Sequence, residues 1–366
     1  MMIYLDSAAT TRPYPSVTNM VGVTDTVAWG NPHSIHAIGL LAGALLGDAE
    51  VIVGKAIKAP SGGTLWTSGG TEANTLAITS VCNYTGDLVC SMGEHLSIEQ
   101  YRRQYGIGVE LDNIGCINID SILKVISKYT KLVSLFLVNN ETGSINEIET
   151  LAHAIKEKFP DILIHTDAVQ AFGKIDIDIE KLGVDLISLS AHKIHGPKGV
   201  GCLWASYRAL EKCPKLISLY RGTPSTSLIG GFAEAINRLD IMEHQKLVEE
   251  QSKAFQKALE ATKVLHSYNA YREAHKVYDI LSIYLPEVDA IELILRLSDK
   301  NIMLSYGSAC STSKSSRVIE QIEGEKVAKS SIRVSFGEDC RLEDIETAAN
   351  LVAETVKEIR DDQKVY

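Results

Sequence analysis

The stretch that decides the fold runs from Ser188 to Gly199 and reads SLSAHKIHGPKG. It overlaps the apolar run 184–189, VDLISL, which predicts a buried strand. The Gly-Pro pair and the next glycine then force a turn. Lys193 therefore stands at the carboxyl end of an inner strand, where desolvation of an amine lowers its pKa and favours attack on a carbonyl. A solvated loop lysine explains these residues equally well, so the rest of the chain has to decide.

Outward from this stretch, short apolar runs alternate with helical patterns such as residues 149–159. The runs cover residues 88–90, 132–138, 162–165, 186–189 and 200–204. Short Val/Ile/Leu runs of this kind predict a mostly parallel sheet with helices on both faces. The predicted fold class is α/β.

The pattern changes near Gly230-Gly231. One long connecting helix is predicted over 234–264, followed by antiparallel strands at 277–285 and 331–336 and helices at 288–297 and 342–359. We expect a large domain at residues 12–235. A smaller α+β C-terminal domain is expected at residues 236–366, and the N-terminal segment 1–11 is expected to join it.

Composition excludes several classes of protein. The chain has 366 residues, 45% of them hydrophobic, and a net charge of −10, which argues against nucleic acid as the main ligand. The longest uncharged run, 26–47, contains Asn31, Pro32 and His33 and does not predict a membrane span. No signal peptide is visible, and the seven cysteines form no CxxC pair. We therefore expect a cytoplasmic protein with no disulfide framework and no metal site.

Ser68-Gly69-Gly70-Thr71 follows a predicted strand and opens a helix. Glycine backbone N–H groups, a helix N-terminus and the Thr71 hydroxyl together make a cradle for an anion. The same residues would also serve as an ordinary helix cap. They match neither a Walker A nor a GxGxxG pattern, so a nucleotide is not the first choice.

Asp167 ends the run 162–166, at the carboxyl edge of the sheet where Lys193 is also expected. An anion cradle, a carboxylate and a lysine on one rim match the needs of pyridoxal 5'-phosphate. The lysine forms the imine, and the carboxylate keeps the pyridine nitrogen protonated so that the ring accepts electrons. An Asp167 that only caps the next helix is the alternative, which the other two features disfavour.

Ordered motifs along nearly the whole chain resemble one family. They are YLD (4–6), GNP (30–32), TSGGTE (67–72), VNNETG (138–143), HTDAVQ (165–170), SAHK (190–193), RGTP (221–224), GSAC (307–310) and SIR (331–333). The chain resembles cysteine desulfurases of the NifS/IscS type, within the class V aminotransferases of fold type I. The resemblance implies a large domain with a mostly parallel seven-stranded sheet, pyridoxal phosphate as cofactor and a homodimer.

Carried over to matching positions, the resemblance also implies roles. Lys193 would hold the cofactor and move the substrate α-proton, and His95 would stack on the ring and assist proton transfer. Arg333, with Asn31, would clamp the substrate carboxylate, for which a guanidinium fork is well shaped. The remaining cofactor contacts would be Asp167 to the ring nitrogen, Gln170 and Asn140 to the ring hydroxyl, and Gly70, Thr71, Ser190, His192 and the partner subunit's Thr223 to the phosphate. Without the family, His95 would be a structural histidine and Arg333 a strand-edge surface charge.

Cys310 decides the reaction that the resemblance implies. It lies in the small, polar segment 305–316, where a thiol can swing in to a substrate and out to an acceptor. The expected reaction takes sulfur from L-cysteine, leaves a persulfide on Cys310 and releases L-alanine. Lys314 is expected to lower the pKa of that thiol.

The chain departs from the family before Arg221, where a Gly-rich segment is missing, and again at Ser315-Ser316-Arg317. These departures bear on substrate access and on the sulfur-acceptor protein, which could be an iron–sulfur scaffold or a tRNA thiolation enzyme. A selenocysteine lyase or an aminotransferase is the alternative activity, although aminotransfer needs no thiol. A non-catalytic scaffold is the third hypothesis, and the intact set of Lys193, Asp167, His95 and Cys310 argues against it.

Overall fold

The computed structural model describes residues 2–59, 62–219, 222–271, 275–307 and 315–364. The helices there are α1 (Pro15–Val27), α2 (Ala37–Ala56), α3 (Gly70–Val81), α4 (Leu96–Tyr105), α5 (Ile119–Val125), α6 (Ile148–Lys158), α7 (Ile179–Leu182), α8 (Tyr207–Lys212), α9 (Lys215–Leu219), α10 (Thr226–Asn237), α11 (Ile241–Ala261), α12 (Ala290–Asp299), α13 (Arg317–Glu323), α14 (Glu325–Lys329) and α15 (Leu342–Asp362). The strands are β1 (Ile3–Tyr4), β2 (Gly63–Thr67), β3 (Leu88–Ser91), β4 (Gly106–Val109), β5 (Leu132–Phe136), β6 (Leu163–Asp167), β7 (Leu186–Ser190), β8 (Gly201–Ala205), β9 (Ser267–Tyr268), β10 (Ile280–Tyr284), β11 (Ile302–Met303) and β12 (Ser331–Ser335).

A seven-stranded sheet forms the centre of the fold, in the order β2-β8-β7-β6-β5-β3-β4. The strands from β7 to β4 pair in parallel, and β8 runs antiparallel to both β2 and β7. The register sets Asp167 opposite Phe136 on one side and Ser188 on the other. The predicted fold class and the mostly parallel seven-stranded sheet are confirmed.

Successive residues of each central strand enter opposite hydrophobic clusters. Leu163 and Leu186 pack in the cluster on the side of α3, whereas Ile164 and Ile187 pack in the larger cluster that also contains residues of α6 and α10. Both faces of the sheet are therefore covered, as continuous apolar strands require.

A third cluster holds the C-terminal part together. It combines side chains of α11, α12 and α15 with those of the antiparallel sheet β12-β10-β9. The N-terminal segment joins this part, because β1 pairs with β11 and Asp6 bridges to Ser335. The domain limits at residues 235 and 236 stay a prediction.

The prediction of a single connecting helix over 234–264 is wrong. The chain breaks after α10, and α11 starts at Ile241 with Asp240 as its N-cap. The Asp240 carboxylate accepts a hydrogen bond from the Glu243 N–H at 3.0 Å. An Asp followed three residues later by Glu is a helix-start signal, so the sequence contained the information.

Helix α2 has an unusual surface. Among the described helices it alone is long and apolar enough to cross a membrane, although core helices of ordinary folds pass the same test. The polar residues that argue against a span in 26–47 precede it, so that argument does not reach α2. Only 28% of its most apolar window is buried within this chain. The helix therefore leaves apolar surface that a single chain does not cover.

A buried ion pair joins the large sheet region to the C-terminal part. Lys174 Nζ lies 3.6 Å from Asp279 Oδ1, and both side chains are nearly inaccessible. His244 Nε2 lies 2.6 Å from the same oxygen. Burial alone would raise the pKa of Asp279, but Lys174 and His244 outweigh it and lower that pKa to about 2.

Replacing Asp279 with Asn should destabilise the protein strongly, because Lys174 would stay buried without a counter-charge. We expect Asp279→Asn to cost about 3–5 kcal/mol of unfolding free energy at pH 7, measured by urea unfolding. The folded-state pKa lies below the unfolded value of about 4, so this difference should persist above pH 4 and shrink as the pH falls toward 2.

The matched control is Asp176→Asn, because Asp176 pairs with Lys58 at 2.6 Å in an exposed position. Solvent screens that pair, so its unfolding curve should barely move. A pH-independent difference for Asp279→Asn would contradict the role assigned to its charge.

Candidate active site

Lys193 lies at the sheet edge where the sequence predicts it. It ends the short 3-10 turn Ala191–Lys193, which follows β7 directly. Its Nζ donates hydrogen bonds to the Ala8 carbonyl at 2.6 Å and to the Ala9 carbonyl at 2.8 Å. Both carbonyls belong to residues 6–11, called the N-terminal turn below. This segment therefore fixes where the amine stands.

A cavity of about 410 Å³ opens beside Lys193. Ten of the predicted site residues line it, namely Gly70, Thr71, His95, Asn140, Asp167, Gln170, Ser190, His192, Lys193 and Arg333. They come from six segments of the sequence, at residues 70–71, 95, 140, 167–170, 190–193 and 333. Their roles stay predictions, but the fold brings them to one place.

One wall of the cavity has the form of an anion site. It consists of Gly69, Gly70, Thr71, Ser190 and His192 and is called the anion wall below. Helix α3 begins at Gly70 without a side-chain cap, so its first-turn N–H groups are not satisfied in that way. Beside it, Ser190 Oγ is buried and has no hydrogen-bond partner among the described residues. A Cβ on Gly201 would lie 2.8 Å from the Gly69 Cα and 2.5 Å from the Leu189 carbonyl oxygen. Glycine at 201 therefore lets the backbone of this wall close against β8.

His192 completes this wall as a neutral ring. Burial lowers its pKa to about 4, and the charges of Lys193 and Lys198 add to the effect. Its Nδ1 lies 3.1 Å from Thr10 Oγ1. Lys198 also lines the cavity, and sequence reasoning missed it although it lies in the stretch 188–199. Its charge adds positive potential where an anion would bind.

Asp167 is held by Asn74, a second residue that sequence reasoning missed. Asn74 Nδ2 donates to Asp167 Oδ2 at 2.7 Å, and the Val169 N–H donates to Oδ1 at 3.0 Å. Asn74 lies four residues after Gly70, on the same face of α3, so helical spacing could have identified it. Its contact orients the carboxylate within the cavity wall.

His95 is the N-cap of α4 and lies on another side of the cavity. Burial lowers the pKa of its imidazole; the charge of Asp167 opposes this effect, and those of Lys193 and Arg317 reinforce it. Its Nδ1 lies 2.8 Å from Ser97 Oγ. The ring is therefore neutral near pH 7.

Arg333 is buried in β12, so the alternative of a surface charge is wrong. Its Nη2 donates to Asp6 Oδ1 at 2.9 Å, and its Nη1 donates to the Asn140 carbonyl at 2.9 Å. Its Nε is buried without a hydrogen-bond partner in the described part of the chain. A buried guanidinium with an unused donor suits a carboxylate ligand.

Gln170 has both ends of its amide occupied. Its Nε2 donates to the Ala8 carbonyl at 2.8 Å, and its Oε1 accepts from Lys174 Nζ at 2.9 Å. The N-terminal turn thus contacts Gln170 as well as Lys193.

Two of the predicted residues that the structure describes, Asn31 and Thr223, are not among those lining this cavity. Thr223 lines a neighbouring pocket with Ser68 and Glu72, and Asn31 Nδ2 lies 3.5 Å from Thr223 Oγ1. Cys310, like Lys314, lies outside the described residues. The roles predicted for Asn31, Thr223 and Cys310 therefore stay predictions.

Residues 3–220 and 217–347 match the sequence model of the class-V aminotransferase family. The chain belongs to the class-V aminotransferase family. This family depends on pyridoxal phosphate, which is consistent with a lysine, a carboxylate and an anion wall in one cavity.

Several curated relatives that the chain matches over nearly its full length are named cysteine desulfurases. A putative cysteine desulfurase IscS 1 of Bacillus subtilis (strain 168) is 32% identical over 379 residues, which cover 98% of this chain and 99% of that protein. The solved structure of a NifS-like protein is 25% identical with a TM-score of 0.88, covering 98% of this chain and all of that one. A structure of SspA in complex with cysteine is 25% identical with a TM-score of 0.79, covering 91% of this chain and 98% of that one.

Gly201→Ala should damage the anion wall of this class-V aminotransferase. The new Cβ would collide with backbone atoms, and such overpacking costs about 1–3 kcal/mol of stability. We expect a lower thermal unfolding midpoint and a smaller rise of that midpoint on addition of pyridoxal phosphate.

Gly22→Ala is the control, because a Cβ there meets nothing within 4 Å and the site lies in the exposed part of α1. Its unfolding midpoint and its response to pyridoxal phosphate should match wild type or improve slightly. An undiminished response in Gly201→Ala would show that the close approach to Gly69 does not matter for binding.

Proposed function

We propose that this protein is a pyridoxal phosphate-dependent cysteine desulfurase that takes sulfur from L-cysteine and releases L-alanine. One observation carries the proposal: the amine of Lys193, the Asp167 carboxylate, the anion wall and the buried guanidinium of Arg333 line a single cavity. The names of the curated relatives, which are called cysteine desulfurases, support the same activity.

The residues present fit the cofactor. The uncapped N-terminus of α3 and the unpartnered Ser190 Oγ suit a phosphate group, with neutral His192 and charged Lys198 beside them. Asp167 suits a protonated ring nitrogen. Pyridoxal phosphate, when bound, supplies a conjugated ring that stabilises negative charge at the substrate α-carbon.

Arg333 suits the substrate carboxylate. Its Nη1 and Nη2 are fixed by the Asn140 carbonyl and by Asp6, and its Nε remains available. Fixing two of the three nitrogens orients the fork before a substrate arrives, which reduces the entropy lost on binding. L-Cysteine as the substrate is supported by the SspA structure, which contains cysteine.

Lys193 serves as the group that removes the α-proton. The carbonyls of Ala8 and Ala9 hold its Nζ at the cavity, where a positioned amine can take a proton from a bound substrate. His95 lies across the cavity as a neutral ring, suited to stacking.

The sulfur leaves through Cys310. Its thiolate attacks the substrate sulfur, the carbon–sulfur bond breaks, and the electrons of that bond stay with carbon, which takes a proton to become alanine. The transferred sulfur becomes the outer atom of a persulfide. A sulfur-acceptor protein, such as an iron–sulfur scaffold or a tRNA thiolation enzyme, then accepts it, and we propose the cytoplasm as the site of the reaction. No disulfide joins any two of the six cysteines in the described segments, which is compatible with a reducing compartment.

The proposal predicts different losses for two variants of the purified protein. Lys193→Ala should lose the borohydride-reducible yellow colour and slow alanine release from L-cysteine by roughly 10²–10⁴-fold, since it removes the general base. Cys310→Ala should keep the colour but lose alanine release and the protein-bound persulfide.

Cys116→Ala is the control, because Cys116 is the least buried of the described cysteines. It should keep both the colour and the activity. Alanine release by Cys310→Ala at the wild-type rate would overturn the persulfide route. A colourless wild-type protein would overturn the assignment of pyridoxal phosphate as the cofactor.

We further propose that the protein is a homodimer through the exposed apolar surface of residues 23–41. This segment includes Trp29, Ile35, Leu40 and Leu41, of which Ile35 is 92% exposed and Trp29 68%. Apolar groups concentrated in this way are typical of an interface rather than of solvent-facing surface. A partner chain against α2 would also cover the apolar helix described above.

Leu40→Glu should therefore convert the dimer into monomers in sedimentation velocity experiments, because the introduced carboxylate would be desolvated at the interface. Leu295→Glu is the matched control, since Leu295 on α12 is equally exposed at 62% but lies outside this segment. A monomeric wild-type protein, or a Leu40→Glu variant that remains dimeric, would contradict the proposed interface.

A further inference from the structure

A chain of hydrogen bonds runs through the wall of the cavity from Asp167 to His95. Asn74 Nδ2 donates to Asp167 Oδ2 at 2.7 Å and lies 2.9 Å from Ser97 Oγ. Ser97 Oγ in turn lies 2.8 Å from His95 Nδ1. Asn74 and Ser97 are both buried, so water does not compete for these contacts.

The direction of each bond follows from its donors and acceptors. Both oxygens of Asp167 accept, so the atom of Asn74 that faces it has to be the amide nitrogen. That nitrogen has two hydrogens, and the second goes to Ser97 Oγ. Ser97 Oγ thus accepts from Asn74, and its own hydrogen is left for His95 Nδ1.

A backbone hydrogen bond supports the same role of His95 Nδ1 as an acceptor. The Ser97 N–H also donates to His95 Nδ1, at 3.2 Å. Two donors therefore converge on Nδ1, which has to carry a lone pair. A neutral imidazole has one proton, so that proton belongs on Nε2.

We propose that Asn74 and Ser97 are positioning residues that hold His95 in the tautomer with its proton on Nε2. The Asp167 carboxylate, which can only accept, sets the direction of the hydrogen bonds in this chain. Nε2 has no partner among the described protein atoms, so it remains available to a bound molecule. A proton on Nδ1 would face the hydrogens of the Ser97 N–H and the Ser97 hydroxyl. The geometry therefore also disfavours the imidazolium, in which both ring nitrogens are protonated.

The consequence for catalysis rests on the proposed function. With hydrogen on Nε2, His95 can donate a hydrogen bond to substrate or cofactor but cannot take a proton at that nitrogen. The α-proton then goes to Lys193 alone. His95 contributes stacking and a donated hydrogen bond rather than general-base catalysis.

The charges that face His95 come from several elements. Asp167 on β6 favours the protonated ring, whereas Lys193 after β7 and Arg317 on α13 disfavour it. Glu94 beside it is buried, which raises the pKa of its carboxyl to about 8 and leaves it mostly neutral at pH 7. None of these charges decides which nitrogen of the neutral ring carries the proton. The hydrogen-bond chain through Asn74 and Ser97 does decide it.

The direct test is nitrogen NMR on the full-length protein with ¹⁵N-labelled histidine, with and without pyridoxal phosphate. The signals of His95 are those missing from His95→Gln. We expect a pyridine-type Nδ1 and a pyrrole-type Nε2 at pH 7–8. A pyrrole-type Nδ1, or two protonated nitrogens, would overturn the inference.

Ser97→Ala provides the second arm. Loss of the hydroxyl removes one of the two donors to Nδ1, so the titration midpoint of His95 should rise by about one pH unit, the equivalent of one hydrogen bond. Ser97→Thr should restore the wild-type midpoint. Thr79→Ala should leave it unchanged, because that hydroxyl bonds the Thr75 carbonyl within α3. An unshifted midpoint in Ser97→Ala would overturn the role of Ser97.

These measurements need no substrate. They would still report the His95 tautomer if the protein released no alanine from cysteine, so failure of this inference and failure of the proposed function are distinguishable.

Discussion

The hydrogen bonds that the N-terminal turn makes with the active site are the constraint on which the rest depends. The Ala8 carbonyl accepts from both Lys193 and Gln170, and the Asp6 carboxylate pairs with Arg333. The same segment enters from β1, which pairs with β11 of the C-terminal part. One short stretch of chain therefore sets the distance between the amine expected to hold the cofactor and the guanidinium expected to hold the substrate.

The electrostatics of the site follow a consistent pattern. Three buried charged side chains have a fixed partner: Arg333 has Asp6, Lys174 has Asp279, and Asp167 has the amide of Asn74. Two histidines that line the cavity are, by contrast, made less basic by burial, which lowers the pKa of His95 and brings that of His192 to about 4. Neutral rings can donate one hydrogen bond and accept another, which a permanent cation cannot do. The site thus combines a few fixed charges with histidines that burial keeps neutral.

The fold was largely predictable because its signals are local. Apolar runs of three to seven residues marked the central strands to within a few residues, and helix spacing marked α6 and α15. The break between α10 and α11 was missed because amphipathic spacing continues on both sides of it, although Asp240 and Glu243 carried a capping signal. Asn74 and Lys198 were missed for a different reason. Asn74 acts through other side chains, and Lys198 looks like an ordinary solvated residue until the cavity is seen.

The sequence by itself determined the strand ends, the chemistry of the residues placed there and the family, because strand periodicity, turn residues and contiguous motifs are properties of neighbouring positions. Only the tertiary structure decided that Asn31 contacts Thr223 instead of lining the main cavity, that residues 6–11 touch Lys193, and that Asp167 is connected to His95. Apart from the local contact between His95 and Ser97, these contacts join positions from 23 to 192 residues apart. Packing of the whole chain fixes such distances, and no local pattern of residue types encodes them.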